Sequence, residues 1–379
     1  MSLIVLVLAQ LTACSLPARA DDDANRPESI ETRPGDEDFD DQPGQTVYQV
    51  LLAEIALQRG NPELAAQSYA DLAMRTRDPK VLERTVEVAG YAHDFDLALK
   101  AVRTWLEVEP ESIRAQQMLV SVMVLSNQLG DVAPSLVRLL QTDQAALPAN
   151  LLGLNRMFAR NPDRLAVFVL LEKVCRPFFD LPEAHYTVAM AASSAGITER
   201  ALAEVRRALE LRPDWEMAAL LQAQILGQAS PADAIAFLQD FVERHPQARE
   251  VKLHLARALI GEKRYAEAKA YFDQLLEDYP DRPEVVYPAA MLALQQNDKA
   301  YAETQLKHLL TLDLPDKDIA YYYLGQIAEE DQRGDEALDY YARVGGGEQY
   351  LMARMRSARV LANQGKLEEG RQLLTSTQT

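Results

Sequence analysis

Small residues recur along this chain at nearly constant intervals, and this regularity limits the fold more than any other feature. Each lies a few residues after a turn and just before an apolar run. They are Ala65, Ala98, Ala133, Ala166, Ala201, Ala234, Ala268, Ala302, Ala337 and Gly370. Successive separations stay between 33 residues (Ala65 to Ala98) and 35 residues (Ala98 to Ala133). Such a period indicates one supersecondary unit repeated along the chain rather than a few compact domains.

The unit is clearest near the end of the chain, where residues 321–328 read YYYLGQIA and residues 334–341 read GDEALDYY. These segments resemble the tetratricopeptide repeat, whose unit of about 34 residues is a pair of antiparallel helices. The resemblance extends over residues 45–379 and is weakest between residues 111 and 180, where several prolines interrupt the pattern. It implies an all-α fold, a right-handed superhelical solenoid of about ten helix pairs.

The N-terminus has the pattern of an exported protein. An apolar run from Leu3 to Leu11 is too short to span a bilayer. It leads into LTAC at residues 11–14, which resembles the lipobox of bacterial lipoproteins. The resemblance implies a signal peptide over residues 1–14, lipidation of Cys14 and anchoring at the periplasmic face of the outer membrane. Ala18-Arg19-Ala20 offers a rival cleavage site that would release a soluble periplasmic protein.

Residues 21–44 are rich in acidic residues and contain three prolines. Such a segment cannot bury enough apolar surface to fold, so residues 15–44 are predicted to be a disordered acidic tether. An acidic docking tail is the alternative. Over the whole chain, 57 acidic against 39 basic residues give a net charge of −18. Because the phosphate backbone of nucleic acids is also negatively charged, the sequence predicts no nucleic-acid partner.

No pattern of catalytic residues stands out. The five histidines lie in different repeats, and none forms a metal-binding pair on a helix. Gly345-Gly346-Gly347 is interpreted as a helix stop, and Cys175 as a partly buried structural thiol. The sequence therefore predicts no enzyme, no catalytic residue, no metal and no cofactor.

A partner surface is predicted on the first helix of several repeats. In tetratricopeptide proteins, the residues three before and one after the small residue of this helix line the concave groove. The predicted groove residues are Tyr186, Met190, Leu253, Arg257, Tyr287, Met291, Tyr322 and Gln326. This surface suits an apolar polypeptide segment or an amphipathic helix. The alternative is that these side chains only pack against adjacent helices.

The last predicted helix pair, ending at Thr379, is apolar on a face that no later helix covers. Either the natural chain is longer, or a partner or a second copy covers this end.

A more specific resemblance lies at the start of the repeats. Residues 47–60 (VYQVLLAEIALQRG) and 76–85 (TRDPKVLERT) are similar to the opening of proteobacterial outer-membrane tetratricopeptide lipoproteins. Those proteins are adaptors of periplasmic carboxyl-terminal processing proteases. This implies an envelope adaptor that delivers cell-wall hydrolases to a periplasmic serine protease. The alternative is a structural assembly factor, such as a pilotin-like or outer-membrane biogenesis lipoprotein.

Overall fold

The computed structural model describes residues 43–376. In this part of the chain it contains 20 α-helices and no strand, so the predicted all-α fold of helix pairs is confirmed. The predicted signal peptide and Cys14 lie outside the described residues, as does the predicted tether up to residue 42. The first helix begins at Pro43, at the end of that predicted tether.

The chain divides into two units, one up to Pro213 and one from Asp214, and each contains ten of the described α-helices. The helices of the first unit are α1 (Pro43–Gln58), α2 (Pro62–Thr76), α3 (Pro79–Tyr91), α4 (Phe95–Val108), α5 (Ile113–Leu125), α6 (Val132–Gln141), α7 (Leu147–Met157), α8 (Arg164–Cys175), α9 (Pro182–Ser194) and α10 (Thr198–Leu211). Two short 3₁₀ segments, Leu129–Asp131 and Arg176–Phe178, precede α6 and follow α8.

The helices of the second unit are α11 (Glu216–Ala229), α12 (Pro231–Arg244), α13 (Arg249–Gly261), α14 (Tyr265–Asp278), α15 (Pro283–Gln295), α16 (Lys299–Thr311), α17 (Asp318–Glu330), α18 (Gly334–Ala342), α19 (Gly347–Asn363) and α20 (Leu367–Thr375). Within this unit, each odd-numbered helix packs along the even-numbered helix that follows it. The second unit is therefore a series of five hairpins, each of which also packs on the next.

The repeating small residues lie where the helices of these hairpins meet. Nine of the ten are buried, and Ala166 on α8 is half-buried. The matching small residues of the first helices, Ala189, Ala256, Ala290 and Gly325, are buried as well. A small side chain lets two helix backbones approach closely, and larger apolar side chains fill the space on either side. The repeat found in the sequence is therefore a repeat of close helix contacts.

The turn inside most hairpins also repeats. One residue has a positive φ, and it lies five or six residues before the small residue of the second helix. These residues are Gly60, His93, Asn127, Gly196, Lys263, Asn297, Gln332 and Gly365. In several turns the next residue caps the second helix: the side chains of Asn61, Asp94 and Asp298 accept hydrogen bonds from backbone N–H groups of the first turn.

The pair formed by α7 and α8 departs from this pattern. Helix α7 packs mainly on α9, whereas α8 packs on α6 and α9. Polar groups join α7 to α9: the Asn155 amide donates to the Thr187 carbonyl oxygen at 3.0 Å, and the Thr187 hydroxyl donates to the Leu151 carbonyl oxygen at 2.9 Å. No residue between these two helices has a positive φ. Helices α7 and α8 therefore both pack on α9, and they do not form a hairpin with each other.

Candidate functional site

The structure places the predicted groove residues on both units. Tyr186 and Met190 lie on α9 in the first unit, and the other six lie on α13, α15 and α17 in the second. Tyr186, Leu253 and Tyr322 are buried, and Arg257 is exposed. The remaining four, Met190, Tyr287, Met291 and Gln326, are half-buried.

Tyr287 and Met291 both pack against the core formed by α15, α16 and α17, which includes Val286 and Ala290. Burial, followed by the neighbouring Tyr323, raises the pKa of the Tyr287 hydroxyl above its ordinary value. Part of each side chain remains at the surface. These two side chains therefore pack on adjacent helices and also present apolar area to solvent.

Although Arg257 is exposed, its guanidinium group has a hydrogen-bond partner within the fold. Pro288 lies inside α15 and has no N–H with which to reach the carbonyl group of Glu284, one turn earlier. The guanidinium group of Arg257 donates to this Glu284 carbonyl oxygen at 3.3 Å. Arg257 thus satisfies a backbone acceptor that the proline leaves open, and it links α13 to α15.

Gln326 and Tyr322 on α17 are joined to α19 through Arg356. The Gln326 side-chain oxygen accepts hydrogen bonds from the Tyr322 hydroxyl at 2.8 Å and from Arg356 Nη2 at 3.0 Å. The guanidinium group of Arg356 also lies 6.0 Å from the centre of the Tyr322 ring. These contacts place α19 directly beside the predicted groove residues of α17.

The charges between α17 and α19 are paired with one another. Glu329 forms ion pairs with Arg356 at 2.9 Å and Arg359 at 2.6 Å, and it accepts a hydrogen bond from the Tyr341 hydroxyl at 2.8 Å. Burial opposes ionisation of Glu329, but hydrogen bonds from Arg359, Tyr341 and Arg356 outweigh it and hold the pKa of the carboxyl group below its ordinary value.

Sequence reasoning missed α19. This helix exposes Leu351, Met352 and Met355, the last with 54% of its surface accessible. Met355 lies three residues before Ala358 and Arg359 lies one after it, the same places that Tyr322 and Gln326 hold relative to Gly325. Ala358 lies twelve residues before Gly370, just as Gly325 lies twelve residues before Ala337. This spacing could have identified Met355 and Arg359 from the sequence.

We name these eight places in the second unit the first-helix face. Its residues are Leu253, Arg257, Tyr287, Met291, Tyr322, Gln326, Met355 and Arg359. Hydrogen bonds and an ion pair join α13 to α15 and α17 to α19 across it. It could contact an apolar polypeptide through methionine and tyrosine side chains, which adapt readily to different partners.

The structure also places the residues considered for chemistry. Cys175 is fully buried, and burial, together with the charge of Glu204, raises the pKa of its thiol to about 12. His185 is also buried, with Nδ1 2.5 Å from Glu204 Oε2 and Nε2 2.9 Å from the Phe179 carbonyl oxygen. The thiol is thus neutral and inaccessible, and both ring nitrogens of His185 have partners within the fold.

Two of the three consecutive glycines bind a carboxylate of the chain itself through their backbone N–H groups. The Asp318 side chain accepts hydrogen bonds from the backbone N–H groups of Gly345 at 3.1 Å and Gly346 at 2.8 Å. Asp318 therefore occupies the site at which these N–H groups could hold a phosphate group. Between residues 43 and 376, no cluster of three or more histidine, cysteine or acidic side chains could hold a metal ion.

Membrane attachment is predicted through a lipid on Cys14 and not through a membrane-spanning helix. None of the helices in the described residues is both long enough and apolar enough to cross a bilayer. Lipidation of Cys14 lies outside the described residues.

Comparison with known proteins finds a repeat family whose model matches part of the second unit. Residues 226–287 and 259–326 match the family model of the tetratricopeptide repeat. The chain is 26% identical over 348 residues to TPR repeat-containing protein PA4667 of Pseudomonas aeruginosa, an alignment that covers 91% of this chain and 58% of the relative. The chain thus spans a little over half the length of this relative.

Three solved structures are similar in part. A chain of Naa15/Naa10 bound to HypK-THB has a TM-score of 0.48 at 16% identity, covering 87% of this chain and 52% of that one. Pseudomonas aeruginosa pilF has a TM-score of 0.40 at 18% identity, covering 54% and 94%. Yeast Tom70 has a TM-score of 0.35 at 13% identity, covering 89% and 92%.

The family match falls on α12 to α16, together with the end of α11 and the start of α17, where the hairpins, buried small residues and turns are regular. In residues 226–326, the family model thus finds tetratricopeptide repeats.

Proposed function

We propose that this protein is a non-catalytic scaffold that binds other proteins through the first-helix face of its second unit. The observation that carries the proposal is the combination on α17 and α19 of exposed Met355 with charged groups that are already paired within the fold. A partner can cover Met355 without stripping water from an unpaired Arg359 or Glu329. Tetratricopeptide repeats are scaffolds for protein interactions, which agrees with this role.

We further propose that the scaffold is an envelope adaptor anchored through Cys14 at the periplasmic face of the outer membrane. It would deliver cell-wall hydrolases to a periplasmic carboxyl-terminal processing protease. Support comes from the resemblance of residues 47–60 and 76–85 to such adaptors. Part of this segment is accessible, since α1 exposes Val47, Tyr48 and Leu51.

Met355→Ser tests the first-helix face most cleanly. Because Met355 is largely exposed, this change should weaken partner capture and leave the thermal midpoint unchanged. The double variant Tyr287→Ala with Met291→Ala should weaken capture further, with some loss of stability because both residues pack on the core. Val108→Ala, at an exposed apolar residue of α4, is the matched control. Normal capture by folded Met355→Ser would place binding elsewhere.

The adaptor role is tested by affinity recovery of the membrane-anchored protein, followed by mass spectrometry and reciprocal recovery from the partner. A serine protease and cell-wall hydrolases are expected. Recovery of a secretin, a pilus component or a barrel-assembly machine would instead support the structural assembly factor. Cys14→Ser should release the protein from the membrane fraction, and a membrane-bound variant would show that another feature anchors it.

A further inference from the structure

A second apolar surface lies in the first unit, on the outward side of α8. Leu165 and Val169 are one helical turn apart, with 58% and 41% of their surfaces exposed. Leu97 on α4 and Val132 on α6 hold the same place as Leu165, one residue before the repeating alanine. Val132 is buried and Leu97 is half-buried. Leu64 on α2 holds this place too and is also exposed, so what distinguishes α8 is the second exposed residue, Val169, and the cleft beside it.

These two side chains line a cleft. It has a volume of about 290 Å³ and lies between α8 and the 3₁₀ segment Leu129–Asp131, with Gly130 and Leu170 also in its walls. Sites for whole small molecules usually measure about 300–1,000 Å³. A cleft at the lower limit of that range, open to the surface and lined mainly by aliphatic groups, suits one anchoring side chain of a polypeptide.

The charge at one end of the cleft specifies its occupant further. Lys173 lies two turns beyond Leu165 on the same side of α8, and it also lines the cleft. Its side chain is exposed, and it makes no ion pair with any residue that the structure describes. A carboxylate that bound there would meet this cation beside apolar surface. Asp163, the acidic residue of the cleft lining, lies at the other end of α8, where its carboxylate caps the helix by accepting a hydrogen bond from the Ala166 N–H at 2.9 Å.

We propose that this α8 cleft, lined by Leu165, Val169 and Lys173, binds a partner polypeptide in which a bulky apolar residue is followed closely by an aspartate or glutamate. The apolar side chain enters the cleft, and the carboxylate pairs with Lys173. This site lies in a different unit from the first-helix face, and it does not depend on the role proposed for that face.

The experiment selects the ligand chemistry without assuming a partner. Phage-displayed random heptapeptides are selected on the full chain and depleted on the double variant Leu165→Ser with Val169→Ser. The enriched sequences are then synthesised with fluorescein, and their affinities are measured by anisotropy. We expect an aliphatic or aromatic residue with a nearby acid. The affinity of the selected peptides should be at least about ten-fold lower for the double variant and about three-fold lower for Lys173→Glu than for the natural protein.

Two exposed residues of the same unit provide matched controls. Leu64→Ser changes a leucine of similar exposure that also precedes its repeating alanine, and Lys100→Glu reverses an exposed lysine on α4. Neither should alter the affinity. Circular dichroism of every variant establishes that it is folded.

The proposal is overturned if no selected peptide depends on Leu165 and Val169, or if the enriched peptides carry basic residues in place of acids. It is also overturned if light scattering shows a dimer of the full chain that the double variant converts to a monomer. In that case the occupant of the cleft is a second copy of this protein.

Discussion

The regular hairpins of the second unit and the irregular pair α7 and α8 of the first are built from similar apolar sequences but are held together differently. In the hairpin α17–α18, a buried glycine faces the ring of Tyr341, and a residue of positive φ, Gln332, forms the turn. In the irregular pair, Ala166 is only half-buried, and side chains bonded to backbone carbonyl groups join α7 to α9.

This difference shows what the repeating small residue contributes. Where two helices meet at a small residue, backbone approach and packing hold them, and the surface that remains follows the repeat. Where the hairpin is replaced by contacts with the next helix but one, polar bonds also join the helices, and Leu165 and Val169 lie exposed beside a cleft. The first-helix face thus follows the repeat, whereas the α8 cleft lies where a hairpin is missing.

The largest effect on stability is expected from filling a close helix contact. A Cβ atom added at Gly325 would lie 2.4 Å from Cε1 of Tyr341. That ring cannot yield easily, because Tyr341 is buried and its hydroxyl bonds to Glu329. Gly325→Leu should therefore lower the free energy of unfolding by about 3 kcal/mol, measured by urea denaturation.

Gly227→Ala is the matched control for this change. Its new Cβ atom would lie 3.5 Å from Cβ of Ala234, an ordinary contact, and alanine favours a helix over glycine. Stability should stay equal or rise by up to about 1 kcal/mol. Equal stability of Gly325→Leu and the natural protein would show that close packing is not what holds the regular hairpins.

A smaller effect is expected from cutting a polar bond of the irregular pair. Thr187→Val preserves shape but removes the buried hydroxyl that donates to the Leu151 carbonyl oxygen. The free energy of unfolding should fall by about 1–2 kcal/mol in the same denaturation experiment. Thr304→Val is the control, because its hydroxyl is exposed and bonds only within its own helix. An unaffected Thr187→Val would mean that apolar packing alone holds α7 against α9.

The fold could be predicted because the period of small residues is a property of the sequence itself. Burial of Ala302 and Ala337 follows once helices stack at each repeat. The partner of each helix in the irregular stretch could not be predicted, because prolines such as Pro162 show where a helix cannot continue but not which neighbour it will contact.

The same limit applies to the surfaces. Spacing placed Tyr322 and Gln326 on one face of α17, but whether either is exposed depends on α19 and its Arg356, which no local pattern specifies. The assignment of the eight predicted residues to a partner groove stays a prediction. The α8 cleft could not be predicted from the period, because Ala166 keeps its spacing although the helices around it do not form a hairpin.

The turns provide a third test of the comparison. Gly196 has a φ of +75°, and a Cβ atom there would meet nothing within 4 Å, so Gly196→Ala isolates the strain of the left-handed backbone. It should cost about 1 kcal/mol. Gly130, in the 3₁₀ segment, has equal space without a positive φ, so Gly130→Ala should be neutral or slightly stabilising. Equal thermal midpoints for the two variants would show that the regular turn does not depend on its backbone conformation.

The smallest effect concerns pH. Ion pairs join helices in both regions, such as Arg333 with Glu303 at 2.8 Å and Arg200 with Glu172 of α8 at 2.7 Å. A neutral bond between Asn161 and Asn127 is added at the irregular pair. Hydrogen bonds from Arg333 lower the pKa of Glu303. A carboxyl group with a lower pKa in the folded state stabilises the fold above its unfolded pKa of about 4.3, and this contribution is lost as the pH falls through the folded value. Glu303→Gln should therefore reduce the loss of stability below pH 4.3 by up to about 1 kcal/mol in acid titrations followed by circular dichroism. Asn161→Ala should leave that acid dependence unchanged, and a matching decrease in both variants would remove the distinction between charged and neutral links.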